Sequence, residues 1–383
     1  MSAYLDNGAT TPMRPEAIAA MEPYLRGTFA NPSGAHRAAR DARRAIEDAR
    51  DIIAEVLGAQ PGEVVFTGGG SEADNTAVFG VARRHGGRLL CSRFEHHAVL
   101  EPVEHLGGDL VDITPSGLVD LDHLDTLLDS DVGLVSVMAV NNEVGTIQPL
   151  PEVVERVRRQ APDALVHTDA VQALCWLDVA ELTRGADLVA ISGHKFGGPK
   201  GCGALVVREG VEIEPLIMGG GQERDRRGGT HNVAGIVALA EAARLTVAGR
   251  AETVNRVGAL RDRLLSGLFH HIPDLVETGV TGGDRGAKIA GNAHVCIPGI
   301  ETEALLVLLE RQDVFASAAS SCASGAMEPS HVLAAMGVER QLAFGSLRLT
   351  LGPETTGAEI DCALEVIPAA VEQLRAGAPA VAS

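Results

Sequence analysis

Between residues 63 and 207 the chain repeats one element: the apolar runs EVVFTG, RLLCS, DLVDIT, VGLVSVMAV, ALVHTD, DLVAIS and GALVV, mostly separated by helical stretches such as PEVVERVRRQ. These runs are continuous rather than alternating in polarity. A strand that is apolar on both faces belongs in a sheet covered on both sides by helices, so the pattern predicts an α/β fold with a mainly parallel sheet. The segment AHRAARDARRAIEDARDIIAEVLG puts Ala42, Ile46, Ala49, Ile53 and Val56 on one helical face, and Gly58 stops it.

After about residue 250 the texture changes. Long helices are expected near 251–270, 301–312 and 355–376, enclosing the strand candidates NAHVCI and SLRLTL, which reads as a smaller α+β domain. A chain of 383 residues exceeds one ordinary core. The expected division is a large domain over 15–250 and a small domain built from 1–14 and 251–383. The Ala/Pro-rich end, APAVAS, is expected to be loose.

Composition narrows the function. Lys and Arg number 32 against 51 Asp and Glu, a net charge of −19, which repels the phosphate backbone of nucleic acids. No apolar run approaches bilayer length, and the start MSAYLDNGATTPMRPE lacks the basic and apolar regions of a signal peptide, so a cytoplasmic protein with no membrane partner is expected. Six cysteines, Cys91, Cys175, Cys202, Cys296, Cys322 and Cys362, are spread without a C-x-x-C pair, which argues against a zinc ribbon or a disulfide framework. Cys91, Cys202 and Cys296 fall in strand-like runs and Cys362 in a helical one, where a small core thiol is the simpler reading. His96 and His97 are neighbours along the chain and point different ways, so no metal is expected.

Several segments carry chemistry. DLVAISGHKFGGPKG sets Ser192, His194 and Lys195 just past an apolar strand in a glycine-rich turn, where a lysine is a candidate Schiff-base former. ALVHTDAVQ puts Asp169 after another strand, with Gln172 three positions on. A carboxylate there can cap a helix, or it can keep the ring nitrogen of pyridoxal phosphate protonated. FTGGGSEADN follows a strand and opens a helix, so N–H groups around Gly70 and Ser71 can cradle a phosphate. Its spacing matches neither the dinucleotide fingerprint nor the P-loop.

Seven segments, FTGGGSEADN, EHHAV, VNNEVGTIQP, DAVQ, HKFGGPKG, GGGQERDRRGGT and CASGAMEPS, together resemble the cysteine desulfurases of the iron-sulfur assembly and nitrogenase type, which are fold-type-I pyridoxal-phosphate enzymes. By this resemblance Lys195 is the Schiff-base lysine, Asp169 the partner of the pyridine nitrogen and Gln172 the donor to the ring hydroxyl. Asn142 lies near that hydroxyl and the substrate, and His96 stacks on the ring, where it can also transfer protons. Gly70, Ser71, Ser192 and His194 hold the phosphate, completed by Thr230 of a second subunit, so a homodimer is implied. Arg348 grips the substrate carboxylate, with Asn31 assisting. The family's T-S-G-A-T-E, E-H-K-A and R-S-G-T stand here as TGGGSE, EHHA and RGGT, which keeps a small hydroxyl at Ser71.

Cys322 sits in ASAASSCASGA, where every neighbour is Ala, Ser or Gly and no apolar bulk anchors the segment. The setting suits a mobile nucleophile, and the resemblance is to the long-loop group. It implies that L-cysteine gives up its sulfur to Cys322, leaving alanine and a persulfide that passes to an acceptor protein for iron-sulfur clusters or thiolated products. The closest rival is another fold-type-I enzyme, a selenocysteine lyase or an aminotransferase. A dinucleotide oxidoreductase and a catalytically idle sulfur-relay scaffold are further alternatives.

Overall fold

The computed structural model describes residues 2–281, 285–318 and 330–377. Cys322 and the end segment APAVAS lie outside the described residues. The strands are β1 (Ala3–Tyr4), β2 (Val64–Thr67), β3 (Arg88–Ser92), β4 (Asp109–Val111), β5 (Val132–Ser136), β6 (Leu165–Asp169), β7 (Leu188–Ser192), β8 (Gly203–Val207), β9 (Val276–Glu277), β10 (Asn292–Cys296), β11 (Val314–Phe315) and β12 (Ser346–Thr350). Seven form one sheet in the order β2-β8-β7-β6-β5-β3-β4. Within it β8 alone runs against its neighbours β2 and β7, and the remaining pairs are parallel.

Every residue of β2, β7 and β8 is buried, as the unbroken apolar runs require of strands covered on both faces. The helix Arg37–Val56 buries Ala42, Ile46, Ala49 and Ile53, and Val56 is half-buried at its end. On the other face the helix Gly70–His85 sends Ala73, Ala77, Val78 and Val81 into a core shared with Leu134, Leu188 and Leu205. Leucine or valine side chains of this size contribute roughly 1.5–3 kcal/mol each when fully buried.

The second part differs in texture as expected, but its leading helix is longer. One helix spans Val233–His271, 39 residues, rather than beginning near 251. Gly249 and the polar stretch around it interrupt the apolar pattern in the sequence without interrupting the backbone. Its first half buries Val233, Ile236, Leu239 and Ala243 in the core under the large sheet; its second half buries Val257, Leu264, Leu265 and Leu268 in a separate core. That second core covers the antiparallel sheet β12-β10-β9 and also takes in Ala3 and Leu5, because β1 pairs with β11. Helices Thr302–Glu310 and Gly357–Gly377 complete it. Gly267 lets the last of these approach closely: a Cβ there would lie 2.4 Å from a Leu364 methyl. Among the described residues no helix is long and apolar enough to cross a membrane.

Candidate active site

Parallel strands that end together leave a crevice beyond their carboxyl ends. Here β6 ends in Asp169 and β7 in Ser192, with Gln172, His194 and Lys195 in the turns that follow. β2 leads to Gly70 and Ser71, β3 to His96, and β5 to Asn142. A two-residue N-terminal strand then carries Asp6–Thr11 across this crevice and ties the groups together.

Lys195 Nζ donates to the Gly8 carbonyl at 2.6 Å and to the Ala9 carbonyl at 2.9 Å. Gln172 Nε2 donates to the same Gly8 oxygen at 2.9 Å, so the amide and the amine converge on one carbonyl. His194 Nδ1 pairs with Thr10 Oγ1 at 3.2 Å. Arg348, buried on β12, donates through Nη2 to Asp6 Oδ1 at 2.9 Å and through Nη1 to the Asn142 carbonyl at 3.1 Å. Its Nε is buried without a hydrogen-bond partner. A guanidinium with one orphaned donor beside a reactive amine is equipped for a carboxylate ligand.

The electrostatics follow from burial and from this crowding. Burial lowers the Lys195 ammonium to about 8; Arg348 pushes the same way, and Asp169 and Asp6 oppose. An amine so depressed is free to act as a nucleophile near neutral pH. Burial pushes the Asp169 carboxyl upward, opposed by His96, the Val171 N–H at 2.8 Å and Lys195. A cation brought against Asp169 would restore its ionised form, which is what a protonated ring nitrogen supplies.

His96 caps the helix His97–His105, its Nδ1 accepting from Ala98 N at 3.1 Å, and the residue is exposed in the single chain. Desolvation by the surrounding protein, with Lys195, His97 and His331 pushing the same way, holds its pKa below the ordinary imidazole value against the opposing pull of Asp169. His194 is lowered to about 4 by burial and by Lys195 and Lys200, so it is a neutral hydrogen-bonding group at neutral pH. Gly70 must be small: a Cβ there would lie 2.9 Å from a Val171 methyl and 3.3 Å from Ser192 Cβ, which brings the helix start against the end of β7. A flat ring with an anionic tail fits an exposed imidazole, a buried carboxylate, an available amine and a glycine-lined helix start.

Lys195, Gln172, Asp169, His96, His194, Ser192, Asn142 and Arg348 are thus gathered around one crevice, with Gly70 at its edge. Asn31, Ser71 and Thr230 are exposed in the single chain, and among the described residues neither Asn31 nor Thr230 hydrogen-bonds to the cluster. Sequence reasoning missed Asp6, Gly8 and Ala9, which meet Arg348 and Lys195. It also passed over Glu95, which is buried beside His96, is pushed up to about 8 by burial, and accepts from Ser92 Oγ at 2.5 Å and Met138 N at 2.6 Å. Four of the described cysteines are poor nucleophiles by environment: burial raises Cys91, and pushes Cys175 and Cys296 up to about 12 and Cys202 to about 11.

Residues 3–362 match the family described as aminotransferase class-V. An IscS-like cysteine desulfurase of Mycobacterium tuberculosis is 46% identical over 395 residues, covering 99% of each chain. Cysteine desulfurase IscS of Methanosarcina thermophila is 43% identical over 384 residues, covering 98% of this chain and 93% of the relative. Among solved structures, a NifS-like protein superposes with a TM-score of 0.90 at 35% identity, covering 98% of this chain and all of the other.

Proposed function

The chain belongs to the aminotransferase class-V family and acts as a cysteine desulfurase, and on that premise we propose how its own residues divide the work. The family's enzymes use pyridoxal 5′-phosphate. The single observation that carries its assignment to this crevice is the depressed, doubly hydrogen-bonded Lys195 amine within electrostatic reach of the buried Asp169 carboxyl. When bound, the cofactor supplies an electron-accepting ring that stabilises negative charge at the substrate's α-carbon.

Lys195 carries the cofactor covalently, and Asp169 holds the proton of the ring nitrogen. His96 covers a ring face and can accept or deliver a proton at the substrate. Gln172 and Asn142 serve the ring hydroxyl. Gly70, Ser71, Ser192 and His194 hold the phosphate, and Thr230 of a second copy completes that cradle. Arg348, helped by Asn142 and Asn31, orients the carboxylate of L-cysteine through the donor that now lacks a partner. Cys322 takes the sulfur: its Sγ forms an S–S bond as the substrate's Cβ–S bond breaks, the bonding electrons go to Cβ, and protonation there yields alanine.

The partners we propose are a second copy of the chain and a cytoplasmic protein that accepts the sulfur. Support for the second copy comes from exposed apolar side chains close in sequence to the unattached site residues, Phe29 before Asn31 and Met218 at the start of the segment leading to Thr230. The division into a cofactor-binding part, 15–250, and a part built from 1–14 and 251–383 that carries Cys322 is supported by the separate cores around the two halves of the helix Val233–His271, while Phe94, Met138, Cys296 and Leu333 pack together across the boundary.

The test is where the sulfur goes. After a pulse of L-cysteine, peptide mass mapping is expected to put the added sulfur on the Cys322 peptide. Cys322→Ser is expected to retain cofactor and bind cysteine while forming neither persulfide nor alanine at a significant rate. Sulfur found reproducibly on Cys175 or Cys202 would overturn the assignment.

A further inference from the structure

The segment from Ile217 to His231 is held in a shape that side chains disfavour. Gly219, Gly220 and Gly221 have positive φ, and so do Glu223 at 48°, Arg224 at 57° and Asp225 at 66°. Three consecutive residues with side chains in the left-handed region persist only where the surroundings over-determine them. Those surroundings converge on the Glu223 carboxylate. It accepts from Arg50 Nη1 at 2.8 Å and Nη2 at 2.9 Å, from Phe66 N at 2.8 Å and from His231 Nε2 at 2.7 Å. Burial pushes Glu223 upward, but the Arg50 and His231 hydrogen bonds outweigh it and hold the carboxyl at about 2. It stays ionised, and the loop stays locked.

The lock aims Arg227 at the start of the helix Gly70–His85. Arg227 Nε lies 2.9 Å from Glu72 Oε1, and Glu72 Oε2 accepts from Gly68 N at 2.8 Å. Glu72 is the third residue of that helix. A carboxylate there suits the helix dipole, yet the same turn is assigned to a phosphate dianion, and two negative groups at one helix start repel each other. Arg227 removes the conflict: it cancels the charge on Glu72 while Glu72 keeps its hold on Gly68.

We propose that Arg227 and Glu72 are positioning residues for the phosphate end of the cofactor, with the Glu223-locked loop supplying the arginine. This rests on the assignment of Gly70 and Ser71 to that phosphate. The loop that leads to Thr230 therefore also sets the phosphate turn of its own chain.

The experiment titrates cofactor-free protein with pyridoxal 5′-phosphate and, separately, with pyridoxal, reading the emission of Trp176, the single tryptophan, which lines the cleft beside Lys195. Arg227→Ala is expected to weaken pyridoxal 5′-phosphate binding by about tenfold and to leave pyridoxal binding unchanged. Glu72→Gln introduced into that variant is expected to restore most of the loss, because the uncompensated charge is gone while an acceptor for Gly68 N remains. Equal losses for both ligands, or a double variant no better than Arg227→Ala, would overturn the proposal. Parental protein that takes up neither ligand at Lys195 would overturn the cofactor assignment, and this proposal with it.

Discussion

The two larger sheets deliver functional groups in opposite ways. The seven-stranded sheet offers nothing from within its strands; Asp169 and Ser192 stand at strand ends, and His96, Asn142, Gln172 and Lys195 in the turns beyond. The three-stranded sheet delivers Arg348 from the middle of β12, paired with His294 on one side and bridged to Ser317 on the other. Leu347 and Leu349 point into the core, so the pleat sends Arg348 to the opposite face, where it meets Asp6 and Asn142. Groups in turns are placed by loop geometry and by helix starts. A group in a strand is placed by register, and a one-residue slip would bury it on the wrong side.

If the parallel sheet holds the chemistry, its substitutions should affect turnover most. Lys195→Ala is expected to abolish both covalent cofactor attachment and alanine formation. Borohydride reduction followed by peptide mapping checks the attachment point against Lys200 and Lys288, the only other lysines in the chain. Label on either would break the assignment of the strand-end crevice.

Next in size is Asp169→Asn, expected to retain cofactor while turnover falls at least about a hundredfold, since a neutral amide cannot stabilise the ring-nitrogen proton. Asp169 also accepts from Val171 N. A variant with parental turnover would reduce it to that local cap.

The antiparallel sheet should control substrate binding and make only a small electrostatic contribution to the amine. Arg348→Lys keeps the charge but loses the fork, so the KM for cysteine is expected to rise by about tenfold or more with kcat less affected. Covalent attachment needs the unprotonated Lys195 amine, so its rate in cofactor-free protein should rise with pH and level off above about 8. Arg348 lowers that pKa, so Arg348→Gln should move the inflection upward without restoring the ordinary lysine value, because burial is the larger cause, whereas Arg348→Lys should leave it in place. An inflection that moves equally in both variants would show that packing, rather than charge, couples the two sheets.

The same contrast explains what could be read from the residues alone. RLLCS and GALVV coincide with β3 and β8 residue for residue, and DLVAIS exceeds β7 only by Asp187, because strands buried on both faces announce themselves by continuous apolarity. Lys195 and Asp169 were legible as groups just past such strands. Arg348 was not: within SLRLTL it looks like the polar position of any half-covered strand, and only the family resemblance singled it out. The strands β1 and β11, two residues each, are too short to show a period, so the N-terminal contacts to Lys195 and Arg348 left no pattern to find. The left-handed loop was equally hidden, since the glycines of GGGQERDRRGGT account for four of its seven positive φ angles and nothing in the pattern marks Glu223, Arg224 and Asp225.

The helix Val233–His271 runs through both cores without a proline. At 1.5 Å per residue it is roughly 58 Å long. In mechanical terms it is a through-beam: folding one part of the molecule toward the other would mean breaking the beam's own hydrogen bonds, so the sheet that holds Arg348 and the strand ends around Lys195 keep a fixed spacing. Substrate then enters a frame of constant width, and the adjustments that admit it fall to the loops at its mouth.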